Sequence, residues 1–127
     1  MRRPLFAALT SGALIALAGA AMAHHSFAMF DSENPIELEG VVREFKYTSP
    51  HTFILLEVKA PDGSVTVWNL EGATPGQLVR EGWSGRAIKP GDELKMKINP
   101  LRSGAPGGSW SPEGTKYRDG KPITISH

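Results

Sequence analysis

The sequence predicts an all-β domain with one short helix, closed as a small OB-like Greek-key barrel. Three observations point there. Segments rich in β-branched and aromatic residues recur at close spacing, separated by turn signals. One capped helical segment stands between the third and fourth of them. The length suits a single domain: setting aside the first 23 of 127 residues leaves 104, enough for one core and too few for two. Three strands, a short helix and two or more further strands is the order of an OB barrel. An open β-sandwich is the alternative.

The chain opens with a segment that is not part of that domain. Arg2 and Arg3 form a charged start, Leu5 to Ala20 an uncharged and mostly apolar stretch, and Ala21-Met22-Ala23 a small-x-small cleavage pattern. Residues 1–23 therefore read as a signal peptide, cut between Ala23 and His24, and the protein as periplasmic. A second A-x-A, Ala18-Gly19-Ala20, offers an earlier cut. An uncleaved anchor is the other reading, although about 20 apolar residues are needed to span a bilayer. The chain has no cysteine, which excludes disulfides and a lipid anchor on a signal-proximal thiol.

Residues 24–35 lack periodicity and form an N-terminal arm; residues 36–127 form the barrel domain. Leu38 to Tyr47 is the first strand, with Gly40 as a bend or bulge. Thr52 to Lys59 is the second, with Ile54, Leu56 and Val58 on one face. Pro61-Asp62-Gly63 turns the chain into Val65 to Leu70, giving a hairpin. Thr74-Pro75-Gly76-Gln77 has the form of a capping box with proline at the first helical position. Leu78 and Val79 supply the apolar stripe, and Gly82 stops the helix. Pro90-Gly91-Asp92 leads into Glu93 to Asn99, where Leu94, Met96 and Ile98 alternate with lysines. Leu101 to Gly108 reads as a Gly/Pro-rich loop. A last hairpin, Ser109 to Arg118 against Lys121 to Ile125, is expected around Asp119-Gly120.

Charge excludes one class of partner. The chain holds 14 basic and 13 acidic residues. Without Arg2 and Arg3 the count is 12 against 13, a net charge of −1, whereas nucleic-acid binding needs a clustered positive footprint. Enzymatic motifs are missing too: there is no H-E-x-x-H, no nucleophile elbow, no catalytic cysteine and no phosphate-cradling glycine loop. Asp31, Glu33, Glu37 and Glu39 read as a solvated face.

The histidines carry the chemistry that remains. After cleavage, His24 would present a free α-amine beside its imidazole, with unperturbed pKa values of about 8 and about 6.5. Both lose their protons to a metal at little cost near neutral pH. His25 adds an imidazole, and His51, after the Ser49-Pro50 turn, is a candidate third nitrogen. Nitrogen-rich sites of this kind hold Cu(II) most tightly among divalent first-row ions. The terminus resembles the histidine brace of copper oxygenases and periplasmic copper-binding proteins, and that resemblance stops at the terminus. The competing reading leaves His24 and His25 solvated and His51 bonded to a turn carbonyl. Met29 offers a thioether for Cu(I) or packs. Of the three tryptophans, Trp68 is read as core, Trp83 as a cap on the barrel and Trp110 as the exposed one.

Several stretches together resemble a group of small exported bacterial proteins of unknown function. These are His24-His25-Ser26-Phe27-Ala28-Met29-Phe30-Asp31, then Gly40-Val41-Val42 with Phe45, then Ser49-Pro50-His51. Trp68-Asn69-Leu70-Glu71-Gly72-Ala73-Thr74-Pro75, Gly82-Trp83 and Lys89-Pro90-Gly91-Asp92 look similar as well. The resemblance runs to Gly108 and implies an exported single domain; it implies no reaction. The function expected is a non-enzymatic, periplasmic copper-binding domain with His24, His25 and His51 as ligands. Its partners would be the metal ion and a metallochaperone, with no nucleic acid and no membrane span after processing. The alternative is a module that docks a protein or glycan through Trp110 and the Gly-rich loop.

Overall fold

A computed structural model describes residues 27–123. The expected signal peptide, His24 and His25, and residues 124–127 lie outside the described residues. The elements are β1 (Ile36–Lys46), β2 (Phe53–Lys59), β3 (Val65–Glu71), α1 (Pro75–Arg80), β4 (Glu93–Pro100), β5 (Gly107–Ser109) and β6 (Thr115–Tyr117). Neighbours run β1-β2-β3-β5-β4, and pairing of β1 with β4 closes the ring. The result is a five-stranded barrel with OB-like connections, as the element order predicts.

Closure depends on β1 serving two partners. Its first half, Ile36 to Val41, pairs with β4, and Val41 to Lys46 pairs with β2. The apolar spacing shows how this works. Leu38 and Val42 point inward at period two, and Phe45 breaks that period. A register shift between Val42 and Glu44 restores it, so Phe45 still packs against the core. The irregularity expected at Gly40 therefore falls two to four residues later.

The second closure is the one the sequence concealed. β5 lies within the segment read as a loop and its hairpin continuation, and it pairs parallel with β3 and antiparallel with β4. Gly108 permits this. A Cβ there would fall on the Asn99 carbonyl oxygen and 2.8 Å from Ile98 Cδ1. Residues that look like loop punctuation are what lets one strand squeeze between two others.

The tail also differs from the expected hairpin. β6 pairs with Leu94 to Met96 of β4, sharing that edge with β5. The Asp119-Gly120 turn does form, with the Tyr117 amide donating to the Lys121 carbonyl at 2.9 Å. Among the described residues its return arm makes a single bridge, Lys116 to Pro122.

The helix follows its signature. The Gln77 amide donates to Thr74 Oγ1 at 3.2 Å and the Thr74 amide to Gln77 Oε1 at 3.3 Å. At the other end Gly82 takes φ +85° and the Trp83 amide reaches back to the Leu78 carbonyl at 2.8 Å. Leu78 is fully buried, whereas Val79 is 62 % exposed. The expected two-residue apolar stripe is thus a single plug. Ile54, Leu56, Leu70, Leu94, Met96 and Ile98 fill the barrel around it. Trp83, read as a cap on the barrel, is buried, and Trp68, read as core, is only partly so. Among the described residues no helix is long and apolar enough to cross a membrane.

Candidate functional site

The arm docks across one mouth of the barrel. Phe27 to Met29 make a single turn, closed by the Phe30 amide donating to the Phe27 carbonyl at 3.3 Å. Phe30 forms a bridge with Leu101, and the Asp31 amide donates to the Pro100 carbonyl at 2.8 Å. Arg102 fastens the turn twice more. Its amide donates to the Met29 carbonyl at 2.9 Å and its Nε to the Ala28 carbonyl at 3.0 Å. Arg102 Nη1 also lies 3.6 Å from Asp31 Oδ1. Asn34 donates to the Asp31 carboxylate, and this bond, with Arg102 beside it, holds the Asp31 carboxyl below its ordinary 3.8.

The expected solvated acidic face is therefore partly engaged. Asp31 anchors the arm, and Glu37 and Glu39 flank Lys95 at 3.0 and 3.6 Å. Glu37 chiefly, through its hydrogen bond and its charge, raises the Lys95 ammonium above 10.5.

His51 is fixed by the chain around it. The Ser49–Pro50 peptide is cis, and Thr48 Oγ1 donates to the His51 carbonyl at 3.1 Å. Next door, buried Thr52 ties the β1–β2 connection to the segment after β3. Its hydroxyl donates to the Ala73 carbonyl at 2.8 Å, and its own carbonyl accepts from the Gly72 amide at 2.8 Å. The His51 ring then meets the Gly72 carbonyl through Nδ1 at 3.2 Å. A carbonyl oxygen only accepts, so Nδ1 carries the proton and Nε2 holds the free lone pair of the neutral ring. Glu71 Oε1 stands 3.7 Å from the same Nδ1. A ring held at one nitrogen by a carbonyl, with a carboxylate beside it, is the arrangement that orients metal-binding histidines. The turn-carbonyl bond expected in the competing reading thus exists, and it leaves the other nitrogen available.

Between arm and barrel lies a cavity of about 580 Å³. Phe27 and Phe30 wall it from the arm, and His51 and Glu71 from the strand ends. Asn99, Ser109 and Trp110 close it from β4 and the end of β5. Three stretches that stand far apart in the sequence converge here: the arm around Phe27 to Asp31, the Pro50-His51 turn, and Glu71-Gly72-Ala73.

Trp110 corrects the sequence reading. It is 5 % exposed, packed edgewise on Phe45 and at a tilt on Trp83. Trp110 is thus not the exposed aromatic the sequence suggests: this indole is part of the core and shows the cavity only a small surface. Its Nε1 is buried with no hydrogen-bond partner among the described residues. Met29 is 45 % exposed and does not line the cavity, so it neither packs into the core nor offers its sulfur there.

Of the three expected metal ligands, His51 alone is described, and His24 and His25 lie outside the described residues. Among the described residues no group of three or more His, Cys, Asp or Glu side chains is gathered as a metal would require. Glu71, Asn99 and Ser109 were not singled out by sequence. Glu71 falls within a resembling stretch, whereas Asn99 and Ser109 meet only once β5 is recognised, their side chains bonding at 3.3 Å.

No curated protein and no solved structure matches the chain. A family model described as a family of unknown function, DUF6152, matches residues 12–110, from ahead of the arm to Trp110 at the cavity, and the chain belongs to that family.

Proposed function

We propose that the protein is an exported, non-enzymatic binding domain that holds a copper ion at the mouth between arm and barrel. Signal cleavage after Ala23 would supply the His24 α-amine and imidazole, His25 a second imidazole, and His51 Nε2 the third ring nitrogen. The observation that carries this reading is the state of His51. Its Nδ1–H is committed to Gly72 O, so its free lone pair sits on Nε2 of a side chain that lines the cavity. Chain length supports the same site. Phe27 lines that cavity, and His25 is two residues upstream, within about 7 Å of chain. Nitrogen donors without cysteine favour Cu(II), and the role would be buffering or delivery.

The test is copper titration of the processed protein, starting at His24, beside a version acetylated at the His24 α-amine. Acetylation should weaken binding strongly, because it removes the amine from the chelate. Equal, weak affinity for the two would sink the terminal site. His51→Ala should then lower the affinity of the processed form; if affinity is unchanged, His51 is not a ligand.

A further inference from the structure

The cavity is far larger than a metal ion needs, and its lining has a chemistry of its own. At about 580 Å³ it falls in the range of small-molecule sites, about 300–1,000 Å³. Among the described residues, Glu71 is the single acidic side chain in that lining, and no lysine or arginine accompanies it. The His51 ring beside the carboxylate points Nδ1 at the Gly72 carbonyl at 3.2 Å, and Glu71 Oε1 stands 3.7 Å from the same nitrogen. No ion pair of the carboxylate with lysine or arginine is present among the described residues. A carboxylate at the wall of a cavity, without a lysine or arginine beside it, favours a cation.

The remaining walls narrow the class. Phe27 and Phe30 stand on the arm side, and Trp110 contributes part of its surface from the barrel. Aromatic rings attract organic ammonium groups through their quadrupoles and offer little to a hydrated anion. Asn99, Ser109 and Gln77 add uncharged donors and acceptors around the same space, suited to a hydroxyl on the ligand. Among the described lining residues, substrates carrying carboxylate or phosphate meet no lysine or arginine.

We propose that this cavity binds a small organic ammonium compound, its charge set against Glu71 and its alkyl groups against the phenylalanine walls. The proposal uses residues other than the copper ligands and is tested on metal-free protein, so it stands or falls separately from the copper reading. The probes are tetramethylammonium, choline and phenethylammonium, titrated calorimetrically into the protein held in a chelator. The control is 3,3-dimethylbutanol, a neutral mimic of choline with the same shape.

At least one of the ammonium probes should bind saturably. Choline should bind about tenfold more tightly than the alcohol, and Glu71→Gln should remove most of that difference. Phe30→Leu, which keeps an apolar side chain without the ring, should weaken the cations more than the alcohol. If the alcohol binds as tightly as choline, the cavity recognises only shape and the proposal is overturned. It is likewise overturned if no ammonium probe binds, or if folded Glu71→Gln binds choline like the parent.

Discussion

Trp110 rests on Gly72 so closely that a side chain at position 72 would occupy the place of its indole nitrogen. A Cβ built on Gly72 falls on Nε1 and Cε2 of the ring and 2.8 Å from Thr52 Oγ1. Phe45 and Trp83, with ring centroids 5.9 and 5.6 Å away, leave the indole nowhere to retreat. The glycine thus sets how deep the tryptophan sits, and the tryptophan contributes a small part of the cavity's inner wall.

Gly72→Ala should therefore act as an overpacking substitution and destabilise the fold by about 1–3 kcal/mol. Urea unfolding measures it. Trp110→Ala should cost more, about 3–5 kcal/mol, through loss of a buried ring. Trp110→Phe separates two effects. It leaves a smaller void and also removes a buried N–H that has no partner among the described residues, a group whose burial costs about 1–3 kcal/mol. Its cost should fall well below that of alanine. A phenylalanine variant as unstable as the alanine one would show that the unpartnered nitrogen costs nothing.

Closure by β5 makes a second prediction. Gly108→Ala puts a methyl group on the Asn99 carbonyl oxygen, which is backbone and cannot swing aside. Gly104 lies in the preceding loop at φ +80° with open space where a Cβ would go. Gly104→Ala should cost only its left-handed backbone strain, about 1 kcal/mol, and Gly108→Ala more. Thermal unfolding of the two variants gives the order, and a reversed order would mean that β5 does not close the barrel.

These two glycines also show where sequence reading stops. The strands with regular apolar alternation, such as Leu94, Met96 and Ile98, are legible because alternation and burial are the same fact. β5 is three residues of Gly-Gly-Ser whose partners β3 and β4 supply the pairing, so nothing local marks it as a strand. Trp110 misleads for a related reason. It follows a glycine-rich stretch, which suggests exposure, and becomes buried only because that stretch is threaded into the barrel. His51 could be picked out by type, but its free Nε2 depends on Gly72, twenty-one residues later.

The helix cap offers a cleaner magnitude. Thr74 Oγ1 accepts from the Gln77 amide at the start of a helix of only six residues. Thr74→Ala should cost about 1 kcal/mol, and Thr74→Ser should restore most of it. Because Gln77 lines the cavity, the alanine variant should also weaken any ligand held there, which titration of both variants would reveal.

Above neutral pH, Lys95 should matter. Glu37 and Glu39 raise its ammonium above 10.5, so the contribution to folding is fully present below that value and disappears as pH climbs through the higher folded value. Stability measured from pH 9 to 12 should fall less steeply in Lys95→Met than in the parent. Identical slopes would remove the pair from the account.

Asp31 gives the opposite sign at the acidic end, and it bears on the arm. Asn34, and after it Arg102, hold its carboxyl below 3.8. A lowered folded value means that the stabilisation is complete above the ordinary value and is lost as pH falls through the folded one. The clamp should therefore hold throughout the range from neutral to about pH 4 and loosen below that. Two amides report it, Asp31 bonded to the Pro100 carbonyl and Arg102 bonded to the Met29 carbonyl. Their hydrogen-exchange protection, referred to that of the core amide of Val42, should stay level down to about pH 4 and drop beneath it. Asp31→Asn keeps the shape and cannot titrate, so the drop should vanish. If the drop persists in Asp31→Asn, another group releases the arm. Arg102→Ala should lower the protection of both amides at every pH, because the Nε bond to the Ala28 carbonyl does not depend on the charge of Asp31.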